Sequence, residues 1–183
     1  MNTNHLTLIG RGPSWKECPF NTPELWGTAS CLITPGLSDK KYDKVFAFDN
    51  NDIALELAKI AKERNIPLVS PHTYATELWP ARMLVMKLRS SYFLNTMTRM
   101  IAYALYLDYK KISIYGIDQG PDWGVMQARN HMCHWIGIAI GRGVDVRLGR
   151  GSMAWVYRIG KKPEVEADLL PEDETLKAAL EVE

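Results

Sequence analysis

The chain has 183 residues, enough for one domain with a substantial core, and its 46% hydrophobic and 23% charged content is that of an ordinary globular protein. No uncharged apolar run reaches the roughly 18 residues that a membrane span needs, and the start, Met1-Asn2-Thr3-Asn4-His5, lacks the basic and apolar regions of a signal peptide. The formal charge of +1 is divided unevenly: residues 164–183 hold eight acids and one base, so the rest of the chain, with 21 bases and 13 acids, stands at +8.

A basic body suits an anionic ligand such as a nucleotide. There is no dense Lys/Arg tract, so nucleic acid is not favoured as a partner. Cys18, Cys31 and Cys133 show no metal-ligand spacing, and a sparse, odd set of thiols fits a reducing cytoplasm better than a disulfide framework.

In chain order, His5 to Ile9 reads as a first strand. Gly10-Arg11-Gly12-Pro13-Ser14 then reads as a tight turn, with Ser14 placed to cap a short helix. Gly27 to Thr34 is the second strand expected, closed by Pro35-Gly36, and Val45 to Phe48 is the third. The cluster Asp49-Asn50-Asn51-Asp52 is a helix start, and Ile53, Leu57, Ile60 and Ala61 repeat at helical spacing up to Arg64. Ile66 to Val69 reads as a short strand, with Pro67 pointing to a sheet edge. Residues 71–91, broken by Pro71 and Pro80, are expected to be irregular, as a flap would be.

Asn95-Thr96 reads as the entrance of a helix whose stripe Met97, Met100, Ile101, Ala104 and Leu105 packs a core. Ile112-Ser113-Ile114-Tyr115-Gly116-Ile117-Asp118 reads as a buried strand closed by Gly116. A loop at 120–124, a helix from about Val125 to Gly141 and a strand at Val144 to Leu148 follow, then the polar turn Gly149-Arg150-Gly151-Ser152 and a further strand at Ala154 to Ile159. Short strands alternating with helices predict a single three-layer α/β domain with a mainly parallel sheet over residues 1–163, followed by an acidic tail, 164–183. A weak helix is expected at Glu172 to Leu180.

In a parallel sheet, ligands gather at the carboxyl ends of the strands. Gly12, Asn50, Thr96, Asp118 and Ser152 all fall at strand-to-helix junctions, so one rim would collect them. The glycines of the 10–14 turn would let a backbone approach a phosphate, and a following helix start would offer free N–H groups. The turn lacks the third glycine of the dinucleotide fingerprint and the Lys of a phosphate-binding P-loop. Asn50 would hold a base or ribose, or simply cap a helix; Asn95 and Thr96 are a cap or a phosphate seat. Asp118 would orient a ribose, bind a metal or act as a base. His131 and His134 share one helix face, and a neutral imidazole there could serve as a general base. Two histidines alone do not make a zinc site, and no third ligand is spaced to help. Gln127 and Arg129, one turn earlier, would contact a substrate, and Arg147, Arg150 and Ser152 an anion.

Leu8-Ile9-Gly10-Arg11-Gly12-Pro13-Ser14, Tyr92-Phe93 to Met100, Gly116-Ile117-Asp118 and Gly141-Arg142-Gly143-Val144 together resemble a superfamily of Rossmann-like proteins. It includes the bacterial sialyltransferases that use a cytidine-monophosphate sugar donor and the hydroxymethylpterin diphosphokinase-like proteins; the chain looks most like small phage and prophage members. The resemblance spans roughly residues 5–152. It implies a nucleotide or nucleotide-sugar in the crevice, with the turn at Gly10, Gly12, Pro13 and Ser14 facing its phosphates or ribose and Asn50 touching the donor. It implies His131 or His134 as the base. Gly116, on the same edge, is expected among the nucleotide-binding residues, and Asp118 would orient the donor, or hold Mg²⁺ if the donor is a triphosphate. Asn95-Thr96 stands where relatives often show paired serines, and the paired tyrosines that support the leaving phosphate in sialyltransferases have no clear match. The expectation is a cytoplasmic transferase of phage or prophage origin, glycosyl or phosphoryl in type, with a homo-oligomer left open. The alternative is a non-catalytic module that sequesters a nucleotide or binds a host protein.

Overall fold

A computed structural model describes residues 4–117 and 123–149, with side chains described at 4–117 and 128–149. Seven strands form one sheet: β1 (His5–Ile9), β2 (Leu25–Thr28), β3 (Lys44–Phe46), β4 (Leu68–Ser70), β5 (Glu77–Leu78), β6 (Lys111–Tyr115) and β7 (Asp145–Leu148). Their order across the sheet is β5-β4-β3-β2-β1-β6-β7, and every neighbouring pair is parallel. Parallel strands need covered faces. One face carries α1 (Asp52–Glu63) and two short 3₁₀ helices, Pro13–Glu17 and Ala29–Ile33; the other carries α2 (Ala81–Leu88), α3 (Thr96–Tyr106) and α4 (Trp123–Gly141). This is the three-layer Rossmann-like α/β fold expected.

The two-residue period of each strand divides the core. Leu6, Leu8, Ile112 and Ile114 pack beneath α3 and α4 with Met97, Met100, Ile101, Trp135 and Ile136. Ile9, Leu25, Val45 and Leu68 pack on the opposite face with Cys31, Leu32, Leu57 and Ala61. Trp26, fully buried in the fourth strand of the seven, anchors the first cluster. Its ring lies 5.3 Å from Phe46, 5.7 Å from Tyr103 and 5.4 Å from Tyr109, and its Nε1 donates to Glu24 Oε1 at 2.7 Å. The methionine stripe of α3 is core, as its spacing predicts.

Several local expectations are corrected. The strand expected to run to Thr34 ends at Thr28, and Ala29–Ile33 coils into a 3₁₀ helix. Its backbone bonds locally instead of to a neighbouring strand: Thr34 N donates to Cys31 O at 3.2 Å and the Thr34 hydroxyl to Ser30 O at 2.8 Å. Ser14 is no cap; it lies inside the 13–17 helix, which Gly12 precedes. Pro67 does not mark an edge, because β4 sits between β3 and β5, and Pro67 uses only its carbonyl, accepting from Val45 N at 2.9 Å. Residues 71–91 are not irregular throughout: they contain edge strand β5 and helix α2, whose Leu84 and Leu88 are buried. The expected strand 154–159 and the acidic tail 164–183 lie outside the described residues.

Candidate functional site

All strands being parallel, their carboxyl ends form one rim. From β1 to β5 the chain steps steadily to one side of the sheet, crossing over the face that holds α1. It then returns through α2 and α3 and places β6 on the other side of β1. The order therefore reverses between β1 and β6, and the segments that follow these strands depart over opposite faces. That is where doubly wound sheets open a ligand crevice.

At the floor of this reversal Gly10 and Gly116 touch backbone to backbone. A Cβ on Gly10 would stand 2.5 Å from Gly116 O, and one on Gly116, whose φ is +67°, would stand 2.2 Å from Gly10 O. Gly10 N donates to Tyr115 O at 2.9 Å, Gly12 N to Gly116 O at 2.8 Å, and Gly116 N to the buried Ser14 Oγ at 2.8 Å. Gly149, at the end of β7, closes on the same point, its Cβ position lying 3.0 Å from Ser14 Oγ. Gly10, Gly12, Ser14 and Gly116 thus do come together at the rim. The glycines make room for each other, and the N–H groups of Gly10 and Gly12 are spent on β6 rather than left open. Arg11 and Pro13 are the exposed residues of the turn.

Two strands away, roughly 10 Å across the sheet, the end of β3 forms a second lip. Asp49 and Asn50 are exposed there. Asn51, not Asn50, caps α1, its Oδ1 accepting from Ala54 N at 2.9 Å, so the Asn50 amide is left to the rim. Arg99, in the second turn of α3, lays its guanidinium 4.5 Å from the Phe48 ring centroid; burial pulls its pKa below the ordinary value, and Asp49 opposes that. His72 Nε2 lies 3.2 Å from Phe48 O, and the Tyr74 hydroxyl donates to Asp49 O. Between the lips, at the end of β2, Thr28 Oγ1 and Ser30 Oγ are 3.0 Å apart. Arg99, His72, Tyr74, Thr28 and Ser30 were not singled out from sequence. Arg99 lies off the apolar stripe of α3, about 200° around the helix from Met97, so the helical pattern carried no signal for it.

Asn95 is spoken for. Its Oδ1 accepts from Thr98 N at 2.9 Å, and the Thr98 hydroxyl completes a capping box. Thr96 opens α3 beside it, half-buried. The histidines lie deeper in α4: at 1.5 Å per residue His131 is ~12 Å along the helix from Trp123. His134 Nε2 lies 2.9 Å from Ser90 Oγ, and the Tyr92 ring packs 3.6 Å from His131 and 5.2 Å from His134. Burial, then the neighbouring charge of His134, lowers the His131 pKa, and its buried Nδ1 has no hydrogen-bond partner. The pair is therefore joined to the 90–92 segment. Arg129 is half-buried beside Cys133, whose thiol burial pushes up while Arg129 draws it down. Gln127 lies on α4, its side chain not described; Asp118, Arg150 and Ser152 lie outside the described residues. Arg147 is exposed and pairs with Asp145 at 3.2 Å.

No group of three or more His, Cys, Asp or Glu positioned for a metal occurs among the described residues, and no described helix is long and apolar enough to cross a membrane. No protein-family model, no curated protein and no solved structure matches the chain.

Proposed function

We propose that the protein binds a nucleotide or nucleotide-sugar along this rim and is a transferase of glycosyl or phosphoryl type. The observation that supports this most is the reversal of strand order between β1 and β6, with Arg11 at one lip and Arg99 and Asn50 at the other. Two cations ranged along a carboxyl edge favour an anionic guest, and the span between the lips is about that of a nucleotide. In this reading phosphates lie toward Arg11, while the ring portion lies against Asn50, on the lip where Thr96 opens α3 one turn from Arg99. His131 or His134 would take the acceptor proton, and Asp118 would orient the donor, with Mg²⁺ when the donor is a triphosphate.

A non-catalytic sequestering module is the second reading. It is favoured by the hydrogen bonds of Gly10 N and Gly12 N to β6, which remove two donors from transition-state stabilisation, and by the packing of the histidines on Ser90 and Tyr92.

A thermal-shift panel of cytidine and adenine nucleotides, with and without Mg²⁺, tests binding. A ligand at a hundred times its Kd stabilises by about 2.7 kcal/mol, and the shift is expected to shrink in Arg99→Gln and Arg11→Gln. No shift with any nucleotide defeats both readings. A shift together with donor turnover that His131→Ala and His134→Ala leave unchanged defeats the base assignment alone. A shift without turnover selects the sequestering module.

A further inference from the structure

Five of the nine large apolar side chains exposed among the described residues lie within one stretch: Leu78 (70% exposed), Met83 (52%), Met86 (58%), Tyr92 and Leu94. The stretch itself supplies no carboxylate: between Glu77 and Asp108 the sequence holds Arg82, Lys87, Arg89 and Arg99 and neither Asp nor Glu. On α2, Met83 lies one turn from both Met86 and Lys87, and Arg82 one turn from Met86, so cations and methionines share its outward side. Leu84 and Leu88 hold the opposite side in the core. Lys87 is anchored at the edge of this surface, donating to Asp108 Oδ2 at 2.8 Å and to Tyr106 O at 2.6 Å. Arg82 and Arg89 are exposed and make no ion pair among the described residues.

A surface both apolar and basic calls for an occupant both apolar and acidic. The chain carries one. Residues 164–183 hold eight acids and one base, interspersed with Leu169, Leu170, Leu176, Leu180 and Val182. They follow β7 after 15 residues, which at about 3.3 Å each can span ~50 Å, enough to reach any part of a domain this size. We propose that residues 164–183 dock on the outward side of α2, their carboxylates on Arg82 and Arg89 and their apolar side chains over Met83 and Met86. This is independent of what the rim binds.

Methionine oxidation by hydrogen peroxide in the full-length protein, read residue by residue by mass spectrometry, tests it. Met83 and Met86 are expected to oxidise several-fold more slowly in the wild type at low salt than in a variant with the eight tail acids changed to Gln or Asn. Arg82→Glu with Arg89→Glu, and 0.5 M salt, are expected to abolish the protection. The buried Met97 and Met100 report that each variant is folded. Equal oxidation of Met83 and Met86 in all proteins, with Met97 and Met100 protected, overturns the proposal. Protection that vanishes on dilution, with a dimer in size-exclusion chromatography, overturns it in favour of exchange between two copies. Protection that arises only with phosphatidylserine vesicles overturns it in favour of a lipid surface.

Discussion

Gly116 is the residue on which the rim depends most. Its φ of +67° and the 2.2 Å between its Cβ position and Gly10 O leave no room for a side chain, and the obstacle is backbone rather than the yielding end of a side chain. Gly116→Ala is expected to cost ~3 kcal/mol, measured by urea denaturation, and to abolish any nucleotide-induced shift at the same time. From sequence, Gly10 and Gly116 were each legible as the end of a strand. That they press on each other was not, because the contact joins residues far apart in the chain and follows from strand order. Glu77 gives a second test at this scale. Burial pushes its pKa up, but hydrogen bonds from Lys44 and Tyr103 and the charge of Lys44 outweigh this and hold it below 4.5. A depressed carboxylate contributes stability above pH 4.5 that is lost as pH falls through the lower folded value. Glu77→Gln is therefore expected to lower Tm at pH 7 by about 2–4 °C, roughly 1 kcal/mol, and the gap to the wild type should close as the pH drops below 4.5 in calorimetric scans.

Among the elements, those with strong periodicity or clear punctuation were legible. The stripe of α3, the Asn95 entrance and the buried runs of β1 and β6 all lie where pattern puts them. Weak ones were not: β5 has two residues, α2 starts at a proline without a side-chain cap, and the 29–33 segment is a short apolar run that reads equally well as a buried strand. The cluster at 49–52 shows the finer limit, since four polar residues in a row announce a helix start without saying which one caps it. Asn51→Ala is expected to cost ~1 kcal/mol, whereas Asn50→Ala should stay within ~0.5 kcal/mol in denaturant titrations while weakening any ligand bound at the rim. The reverse pattern would show that Asn50 is the cap and remove it from the site.

For the whole molecule, the alternation of strands and helices was enough to predict a three-layer parallel fold, and parallel strands alone are enough to gather their carboxyl ends on one edge. Which ends become neighbours depends on strand order, and no local pattern encodes it. Sequence therefore put Gly12 and Asn50 on the correct rim. It did not show that the N–H groups of Gly10 and Gly12 are already taken, because their acceptors, Tyr115 O and Gly116 O, are about a hundred residues distant.

The register of β1 against β6, from His5 with Lys111 to Ile9 with Tyr115, also sets a timetable for birth on the ribosome. At ~5–20 residues per second, β1 emerges some 5–20 s before the strand that will cover its second flank. During that wait Leu6, Leu8 and Ile9 belong to a half-built sheet with an unzipped border. The nascent chain is most exposed to mispairing and to chaperone capture in this interval, which ends only once β6, past the midpoint of the chain, has emerged.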